Sequence, residues 1–336
     1  MSDSVSEDPR DAPKENNIIK KILKKAGNPS LLSDLESKLS MSEINSLLLE
    51  LFKTKTREMK PAELLRQYAQ NRFVNPSDID PVLSYRASAD LLEAAGKAGY
   101  TALELSPVTV LGACSVIAQV DQNKVLSALS GTEVLSDATN ALALHIAHLK
   151  NRENLKKSKQ PNPERCKPER PKPERLRYCS VHRHIRTQKF QGKNQLSHFT
   201  LYGMVISGTD EGNFKFEKEA LLETLRFYHD FLQRQSHVSN PRFIIWPRGG
   251  YPGNFTKEIS AFLRENNFPG ISEGKAPSES DYYRGLQFKI KAFARDTEFE
   301  VADGGFVDWP RKLLQNNKER MLISGLGLER LIKQKV

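Results

Sequence analysis

Apolar residues early in the chain recur at the spacing of amphipathic helices. One such pattern runs from Ile18 to Ala26 and stops at a Gly-Asn-Pro sequence, which predicts a short helix. A second follows Ser40 and Glu43, whose spacing is that of a capping box at a helix start. The residues before these helices are acidic and polar. We therefore predict a disordered tail over 1–16 and a small helical module over 17–80.

The pattern changes after residue 83, where helical and strand-like stretches alternate. Helical periodicity spans Tyr85 to Lys97 and Ala138 to His148, and a strand, a polar loop and a second strand follow between residues 177 and 208. A chain of 336 residues exceeds the size at which single cores stop growing, about 250 to 300 residues. We therefore expect one large folded unit and a smaller one.

The net charge of +10 is concentrated in one segment. Between Lys150 and Arg177 there are eleven Lys or Arg residues against four Glu, a surplus of seven positive charges. Within it Pro-Glu-Arg occurs three times in a sequence that has too few apolar residues to bury a core. We predict a basic, proline-rich insertion at 156–176, disordered or polyproline-like. Two roles are open: an electrostatic arm for tRNA or another RNA, and a solubilising linker.

Other bulk features exclude several classes of protein. The three cysteines, Cys114, Cys166 and Cys179, show no CxxC spacing, which argues against a zinc site and fits a reducing compartment. No apolar run approaches the roughly 20 residues needed to cross a bilayer, and the N-terminus lacks the features of a secretion signal. We predict a cytoplasmic protein with no metal site and no membrane partner.

The helix predicted from Tyr85 to Lys97 is followed by Gly99, Tyr100 and a short strand that ends at Pro107. This order resembles motif 1 of the class II aminoacyl-tRNA synthetases, and the motifs below are similar to the histidyl type. In that family motif 1 builds a dimer interface, where proline tolerates the missing amide donor. The resemblance implies an α+β fold, a class II synthetase-type antiparallel β-sheet flanked by helices, and a homodimer.

The strand, loop and strand between residues 177 and 208 resemble motif 2 of the same family. Arg186 matches the arginine that grips the α-phosphate of ATP, and Phe199 matches the ring that stacks on adenine. A guanidinium suits this role because it donates two parallel charge-assisted hydrogen bonds to phosphate. Arg183 is the alternative for the phosphate contact. Gln188 stands where the family carries an acidic residue, so the resemblance is incomplete at this point.

Asp137 and Thr139 resemble the acidic residue and threonine that face the amino-acid substrate in the histidyl family. The alternative is that Asp137 only caps the helix that follows it. Leu201 and Val205 stand where the family has a glutamine and a glutamate that hold the imidazole of histidine. Apolar side chains cannot supply those hydrogen bonds, so the resemblance implies a substrate other than histidine.

Tyr282 and Tyr283 resemble the tyrosine-pair strand that lines the amino-acid pocket of the family. The catalytic arginine of the family lies three residues before the aspartate that precedes this pair. Ser278 occupies that position in this chain. A cation near the reacting phosphate would then have to come from Arg284 or Lys275.

Glycine marks two further places. Gly304 and Gly305 resemble the glycine-rich turn of the pocket floor, where backbone can approach a ligand closely. A strand that runs into a glycine-rich loop is followed by an amphipathic pattern from Phe255 to Glu265. We interpret residues 241–275 as a short insertion between motifs 2 and 3, either a pocket lid or a surface turn.

The last motif gives a strand, small residues and a helix. Gly325 and Gly327 match the small residues that lie against the nucleotide in motif 3, followed by Glu329 and Arg330. The resemblance implies that Arg330 contacts the γ-phosphate. It covers residues 83–336, and we expect no anticodon-binding domain after it.

Three functions agree with these motifs. The first is a ligase that uses ATP and Mg²⁺ to adenylate an amino or carboxylic acid. The second is a non-catalytic paralogue that binds a partner enzyme, similar to the regulatory subunit of ATP phosphoribosyltransferase. The third is an RNA-binding accessory protein that uses the basic insertion.

Overall fold

The computed structural model describes residues 17–159, 175–187, 197–274 and 282–335. Ten α-helices lie in these ranges: α1 (Asn17–Ala26), α2 (Leu31–Lys38), α3 (Met41–Arg57), α4 (Pro61–Gln70), α5 (Pro81–Lys97), α6 (Ala138–Lys159), α7 (Lys215–Gln233), α8 (Phe255–Glu265), α9 (Trp309–Leu314) and α10 (Leu328–Lys333). None of the described helices combines the length and the apolar character needed to cross a membrane.

The same ranges contain eleven strands. They are β1 (Thr101–Ala102), β2 (Val108–Val110), β3 (Ser127–Ala128), β4 (Thr132–Val134), β5 (Leu176–Ile185), β6 (His198–Thr209), β7 (Ser239–Pro247), β8 (Ile271–Glu273), β9 (Arg284–Ala294), β10 (Thr297–Val307) and β11 (Glu319–Gly327).

The chain divides into two compact units after Lys60, with residues 129–131 grouped with the first unit. The first unit contains α1 to α3, and none of the residues in these helices is buried. The capping box is present: Ser40 Oγ accepts from the Glu43 amide, and Glu43 Oε2 accepts from the Ser40 amide at 2.8 Å. The predicted module is therefore helical, but α4, its last helix, belongs to the second unit.

The second unit is built on an eight-stranded sheet in the order β1-β5-β6-β11-β10-β9-β7-β8. Its inner pairs are antiparallel, and only the edge pairs β1 with β5 and β7 with β8 are parallel. A small three-stranded sheet has the order β2-β4-β3. The predicted α+β class, a mainly antiparallel sheet flanked by helices, is confirmed.

The two faces of the large sheet pack differently because side chains alternate along each strand. On one face α5, α7, α8 and α10 bury the larger core, which includes Leu91, Phe216 and Phe288. On the other face α6 and α9 cover only part of the sheet, around Ile146 and Trp309. This second face is therefore the one that stays partly open.

The predicted insertion at 241–275 begins within a strand of the large sheet. Most of β7 pairs with β9, so this part of the segment is not a surface turn. The helix predicted from Phe255 to Glu265 has those bounds in α8, and its buried Phe255 and Ile259 join the core. The apolar strand pattern therefore marked a sheet strand.

Gly304 and Gly305 correct a second prediction. They lie inside β10 and not in a turn. The tight turn of the β9–β10 hairpin is formed by Arg295 and Asp296, which both have positive φ angles, 47° and 64°. The family resemblance had placed a turn at the glycines, where backbone could approach a ligand closely.

The predicted basic insertion lies mostly at 160–174, outside the described residues. At its C-terminal end Arg175 pairs with Glu211 at 2.6 Å, and just beyond it Arg177 pairs with Glu223 at 2.6 Å. These two cations therefore have carboxylate partners within the fold and are not simply free for RNA.

Candidate functional site

A cleft of about 330 Å³ opens where β6, β11 and β10 lie side by side on the open face of the sheet. Arg186 follows β5, Phe199 lies at the start of β6, and Arg330 is on α10. All three side chains line this cleft. The fold thus brings together the two arginines that the sequence predicted at opposite ends of one site.

Arg186 is held in position by two contacts. Its Nε donates to the carbonyl oxygen of Ser136 at 3.2 Å, and its guanidinium carbon lies 5.2 Å from the centre of the Phe199 ring. A cation over a ring face gains about 0.5 to 2 kcal/mol. The backbone contact and the ring leave the guanidinium at the wall of the cleft, where it can meet an anion.

Arg183, the alternative phosphate ligand, does not line the cleft. Its Nη1 donates to Glu329 Oε1 at 3.0 Å, and its Nε donates to His198 Nδ1 at 2.8 Å. Glu329 also accepts from the backbone amide of Thr200 at 3.1 Å. Arg183 therefore ties the strands of motif 2 to the helix of motif 3 and is not free to grip a phosphate.

Arg330 is largely exposed at the cleft. Its side chain is 60% exposed, and its Nη1 lies 3.9 Å from Glu300 Oε1. A Cβ at Gly325 would meet only the Tyr202 carbonyl oxygen at 3.8 Å, so this glycine leaves open space at the cleft wall. A Cβ at Gly327 would lie 3.3 Å from Arg330 Cδ. Gly325 therefore leaves open space in the cleft wall, and Gly327 lets the Arg330 side chain pack closely against it.

Asp137 caps the helix that follows it and also lines the cleft. Its Oδ1 accepts from the Thr139 amide at 2.9 Å, which caps α6, and from the Thr139 hydroxyl at 2.7 Å. Its Oδ2 accepts from the Tyr282 hydroxyl at 3.0 Å. Burial raises the pKa of Tyr282 and of Tyr283, so both phenols stay protonated. Asp137, Thr139 and both tyrosines also line the cleft.

The remaining predicted pocket residues divide into two groups. Leu201 lines the cleft, whereas Val205 is fully buried in the core beneath α6. A Cβ at Gly304 would lie 2.4 Å from the Ile323 carbonyl oxygen, and one at Gly305 would lie 2.7 Å from Tyr283 Cδ1. Neither glycine lines the cleft; they let a strand and a ring pack closely.

Three positions of the family comparison, Gln188, Lys275 and Ser278, lie outside the described ranges. Arg284, the other candidate replacement cation, lies 3.6 Å from Asp308 and lines a different cavity.

A second cavity of about 450 Å³ adjoins the cleft over β10, β9 and β7. The two share Asp137, Arg186, Tyr282, Tyr283 and Asp303, and the second continues to Trp246, Arg248, Gln287 and Lys289. Sequence reasoning missed these last four residues and Asp303. The sequence did contain a signal for four of them. Trp246 and Arg248 are two positions apart, as are Gln287 and Lys289, and this is the spacing of side chains on one face of a strand.

Asp303 lies in the wall between the two cavities. It is opposite Lys289 in the register of β10 and β9. Burial, aided by the charge of Glu300, raises the pKa of Asp303 to about 6, while Lys289 acts in the opposite direction. The Asp303 carboxyl group is therefore poorly solvated, which disfavours its charged form.

His182 and His184 stand two apart on β5, with ring centres 5.4 Å apart. Burial lowers the pKa of His184 to about 3, so this ring is neutral. Within the described ranges no group of three or more His, Cys, Asp or Glu side chains could hold a metal ion. Burial also raises the pKa of Cys114 to about 12, so the thiol in the second cavity is protonated.

No protein-family model matches the sequence, and no curated protein matches it significantly. Solved structures do match. Histidyl-tRNA synthetase from S. aureus is 15% identical, with 77% of this chain and 68% of that chain covered and a TM-score of 0.51. An ATP phosphoribosyltransferase regulatory subunit/histidyl-tRNA synthetase from Bacillus halodurans is 12% identical, with 77% and 82% covered and a TM-score of 0.54. The chain has the class II aminoacyl-tRNA synthetase fold.

A third similar structure is the RNA binding domain of threonyl-tRNA synthetase from Cryptosporidium parvum. It is 11% identical, with 81% of this chain and 70% of that chain covered and a TM-score of 0.56. Identities this low establish the fold and leave the activity open. The resemblance drawn from the motifs is confirmed at the level of the class II synthetase fold.

Proposed function

We propose that this chain is an ATP-dependent ligase that adenylates an amino acid, or another carboxylic acid, other than histidine. The observation that carries the proposal is the convergence of Arg186, Phe199 and Arg330 on one cleft of the class II synthetase fold. An adenylating site needs cations for the triphosphate and a surface for the base, and these side chains supply both.

The side chains that line the cleft have the chemistry needed to bind ATP. The Arg186 guanidinium can neutralise charge that grows on the α-phosphate while a carboxylate attacks it. The Phe199 ring offers a stacking surface, and Gly325 leaves the space that a base would fill. Arg330, 60% exposed, can turn toward a γ-phosphate. Mg²⁺ is held in such sites by one or two carboxylates and the phosphates, and Glu300 lies in the cleft wall for that role.

The acid would bind at the boundary between the cleft and the second cavity. Asp137 can accept from an ammonium group there, and the Tyr282 hydroxyl fixes the direction of its Oδ2. Leu201 lines the same cleft and offers an imidazole no hydrogen bond, while Val205 lies in the core. Histidine would therefore lose the polar contacts that its side chain needs.

The test is ATP–pyrophosphate exchange, screened with each amino acid in turn. We expect exchange with at least one acid and none with histidine. An Arg330→Ala variant should lose it, because the γ-phosphate contact is removed, whereas Arg226→Ala should not, since Arg226 lies outside the cleft on α7. Absence of exchange with every acid would contradict the proposal.

A non-catalytic subunit that binds a partner enzyme is the second candidate. It is favoured by Ser278, which replaces the catalytic arginine of the histidyl family, and by the similarity to a structure whose name includes a regulatory subunit. It predicts that amino acids bind in calorimetry without pyrophosphate exchange.

We also propose that the chain pairs with a second copy through motif 1. Apolar side chains are exposed in and next to that motif: Tyr85 on α5 is 77% exposed, and Val110, the last residue of β2, is 58% exposed. Burying such side chains between two copies would be favourable. Light scattering should give twice the monomer mass, and Tyr85→Glu should reduce it.

An RNA partner is proposed for the basic segment. The support is its surplus of positive charge and the similarity to an RNA binding domain of a synthetase. Deleting residues 160–174 should weaken tRNA binding and flatten its dependence on salt concentration. Unchanged binding would exclude this segment as the RNA site.

A further inference from the structure

Asp303 on β10 lines both cavities of the open face. The residue is partly exposed, and its side chain has no hydrogen bond or ion pair with any residue that the structure describes. Lys289, its cross-strand neighbour on β9, pairs instead with Glu300 Oε2 at 2.6 Å. The Asp303 carboxyl group therefore borders both cavities without a partner from the described part of the fold.

The sheet leaves open space beside this carboxyl group. The residue opposite Asp303 on β11 is Gly325, where an added Cβ would meet only the Tyr202 carbonyl oxygen, at 3.8 Å. Burial raises the pKa of Asp303 to about 6, because its charged form is poorly solvated. A cation that entered this space would restore the stabilisation that water no longer gives to the charge.

Asp137 adds a second carboxylate to the same wall. It accepts hydrogen bonds from the Thr139 amide and hydroxyl and from the Tyr282 hydroxyl, which are all neutral donors. Within the described ranges it has no ion pair, and its charge disfavours ionisation of Asp303. Two carboxylates placed in this way are matched by a ligand that carries two cationic groups.

The reaction that we propose determines which carboxylate binds which group. Arg186, a cation that also attracts the Asp303 charge, would hold the reacting carboxylate and the α-phosphate. Its Nε donates to the carbonyl oxygen of Ser136, the residue next to Asp137, at 3.2 Å. The α-ammonium group and the reacting carboxylate share one carbon atom, so the α-ammonium group would bind Asp137. Asp303, on a different element, is then left for a second ammonium group further along the acid.

We propose that the acid activated by this chain is a diamino acid, whose second ammonium group Asp303 binds in the wall between the two cavities. This inference rests on the proposed ligase function and adds the class of its substrate. Leu201 and Ile323 line the cleft and offer apolar surface to the methylene groups between the two ammonium groups. Lys124 and Arg248 line the second cavity but not the cleft, so an acid with an anionic end is the competing class and is included in the test.

The test compares pyrophosphate exchange between diamino acids and isosteres in which a methyl group replaces the second ammonium group. The pairs are α,γ-diaminobutyrate and norvaline, ornithine and norleucine, and lysine and α-aminoheptanoate, while glutamate represents an anionic end. At a pH well above the pKa of Asp303, one diamino acid should exceed its isostere by about 10- to 100-fold in kcat/KM, the range for a charge-assisted contact. No preference within any pair, or a preference for glutamate over every diamino acid, would overturn the inference.

Variants show whether Asp303 is responsible. Asp303→Asn keeps the shape and removes the charge, so the preference for the diamino acid should fall by about 10- to 100-fold, mainly through KM. Asp303→Glu keeps the charge on a side chain that is longer by a methylene group, so the preferred diamino acid should become shorter. Asp90→Asn on α5 is the matched control, since this aspartate is exposed and lines neither cavity, and urea unfolding verifies that each variant folds. A preference that survives Asp303→Asn would contradict the role of Asp303.

Calorimetry of the free acids, without ATP, distinguishes failure of this inference from failure of the ligase function. Binding of a diamino acid that is lost in Asp303→Asn, in a protein that shows no exchange with any acid, would support the ammonium site and refute the ligase. Exchange with neutral acids alone would support the ligase and refute the ammonium site. Absence of both binding and exchange would refute both proposals.

Discussion

The two cavities on the open face of the sheet differ in what determines their residues. The cleft over β6, β11 and β10 is lined by residues that match the class II synthetase motifs, among them Arg186, Phe199 and Arg330. The second cavity, over β10, β9 and β7, is lined by residues outside those motifs, such as Arg248 and Lys289. The motifs therefore account for the residues of the first cavity, and the pairing of β7, β9 and β10 accounts for the strand residues that only the second contains.

The largest effect should come from replacing the two arginines of motif 2, Arg186 and Arg183, one at a time. Arg186→Ala removes the cation that faces the cleft, so exchange should fall by about 100- to 1,000-fold with little change in the free energy of unfolding. Arg183→Ala should instead lower that free energy by about 1 to 2 kcal/mol, because Glu329 keeps its contact with the Thr200 amide but loses its cationic partner. Exchange and urea unfolding, measured on both variants, check this pair.

The reverse result would be informative. If Arg183→Ala abolished exchange in a stable protein while Arg186→Ala did not, the cleft seen on this face would not be the place of the chemistry. The network that joins Arg183 to Glu329 would then have to open when a nucleotide binds.

The next largest effect should come from comparing Gly304, which other atoms contact closely, with Gly325, which has open space beside it. Gly304→Ala would place a Cβ 2.4 Å from the Ile323 carbonyl oxygen and 2.6 Å from Phe288 Cζ. Backbone cannot easily yield, so we expect a loss of about 3 kcal/mol in unfolding free energy. Gly325→Ala is the matched change on the neighbouring strand, where the nearest atom is 3.8 Å away.

Gly325→Ala should fold almost normally and weaken ATP binding in calorimetry, because its methyl group enters the cleft wall. Equal stability of the two variants would contradict the packing role given to Gly304.

Local patterns in the sequence predicted several elements well. The bounds of α8, from Phe255 to Glu265, follow from amphipathic spacing, and the capping box at Ser40 follows from two side chains three residues apart. The meeting of Arg186 and Arg330 could also be predicted, because the motifs specify a known order of strands. The helix and its cap could be predicted because their signals are local in the sequence. The arginine pair could be predicted because the resemblance to a family supplies the order of strands.

What could not be predicted depends on strand neighbours distant in sequence. The pattern of β7 indicates a strand, but only its pairing with β9 places Arg248 beside Gln287. Likewise, motif spacing favoured Arg186 for the phosphate contact but left Arg183 as an alternative. Only the buried carboxylate of Glu329 decides which of them faces the cleft. Such contacts depend on sheet register, which single-sequence periodicity does not determine.

The smallest effect should appear at Asp303, in the wall that the two cavities share. In the folded chain the pKa of Asp303 is raised to about 6, chiefly by burial, above its ordinary value of about 3.9. The folded state therefore holds the proton more tightly than the unfolded state, and the stability this provides is complete below about pH 4 and lost as the pH rises through 6. Asp303→Asn cannot ionise, so it should be about 1 to 2 kcal/mol more stable than the parent chain at pH 7.5 and equal to it near pH 4. Urea unfolding across this pH range measures the difference, with Asp90→Asn, an exposed change on α5, as the control. If Asp303→Asn were instead less stable at pH 7.5, the attraction of Lys289 would outweigh the cost of burial, and the wall between the cavities would be held by that ion pair.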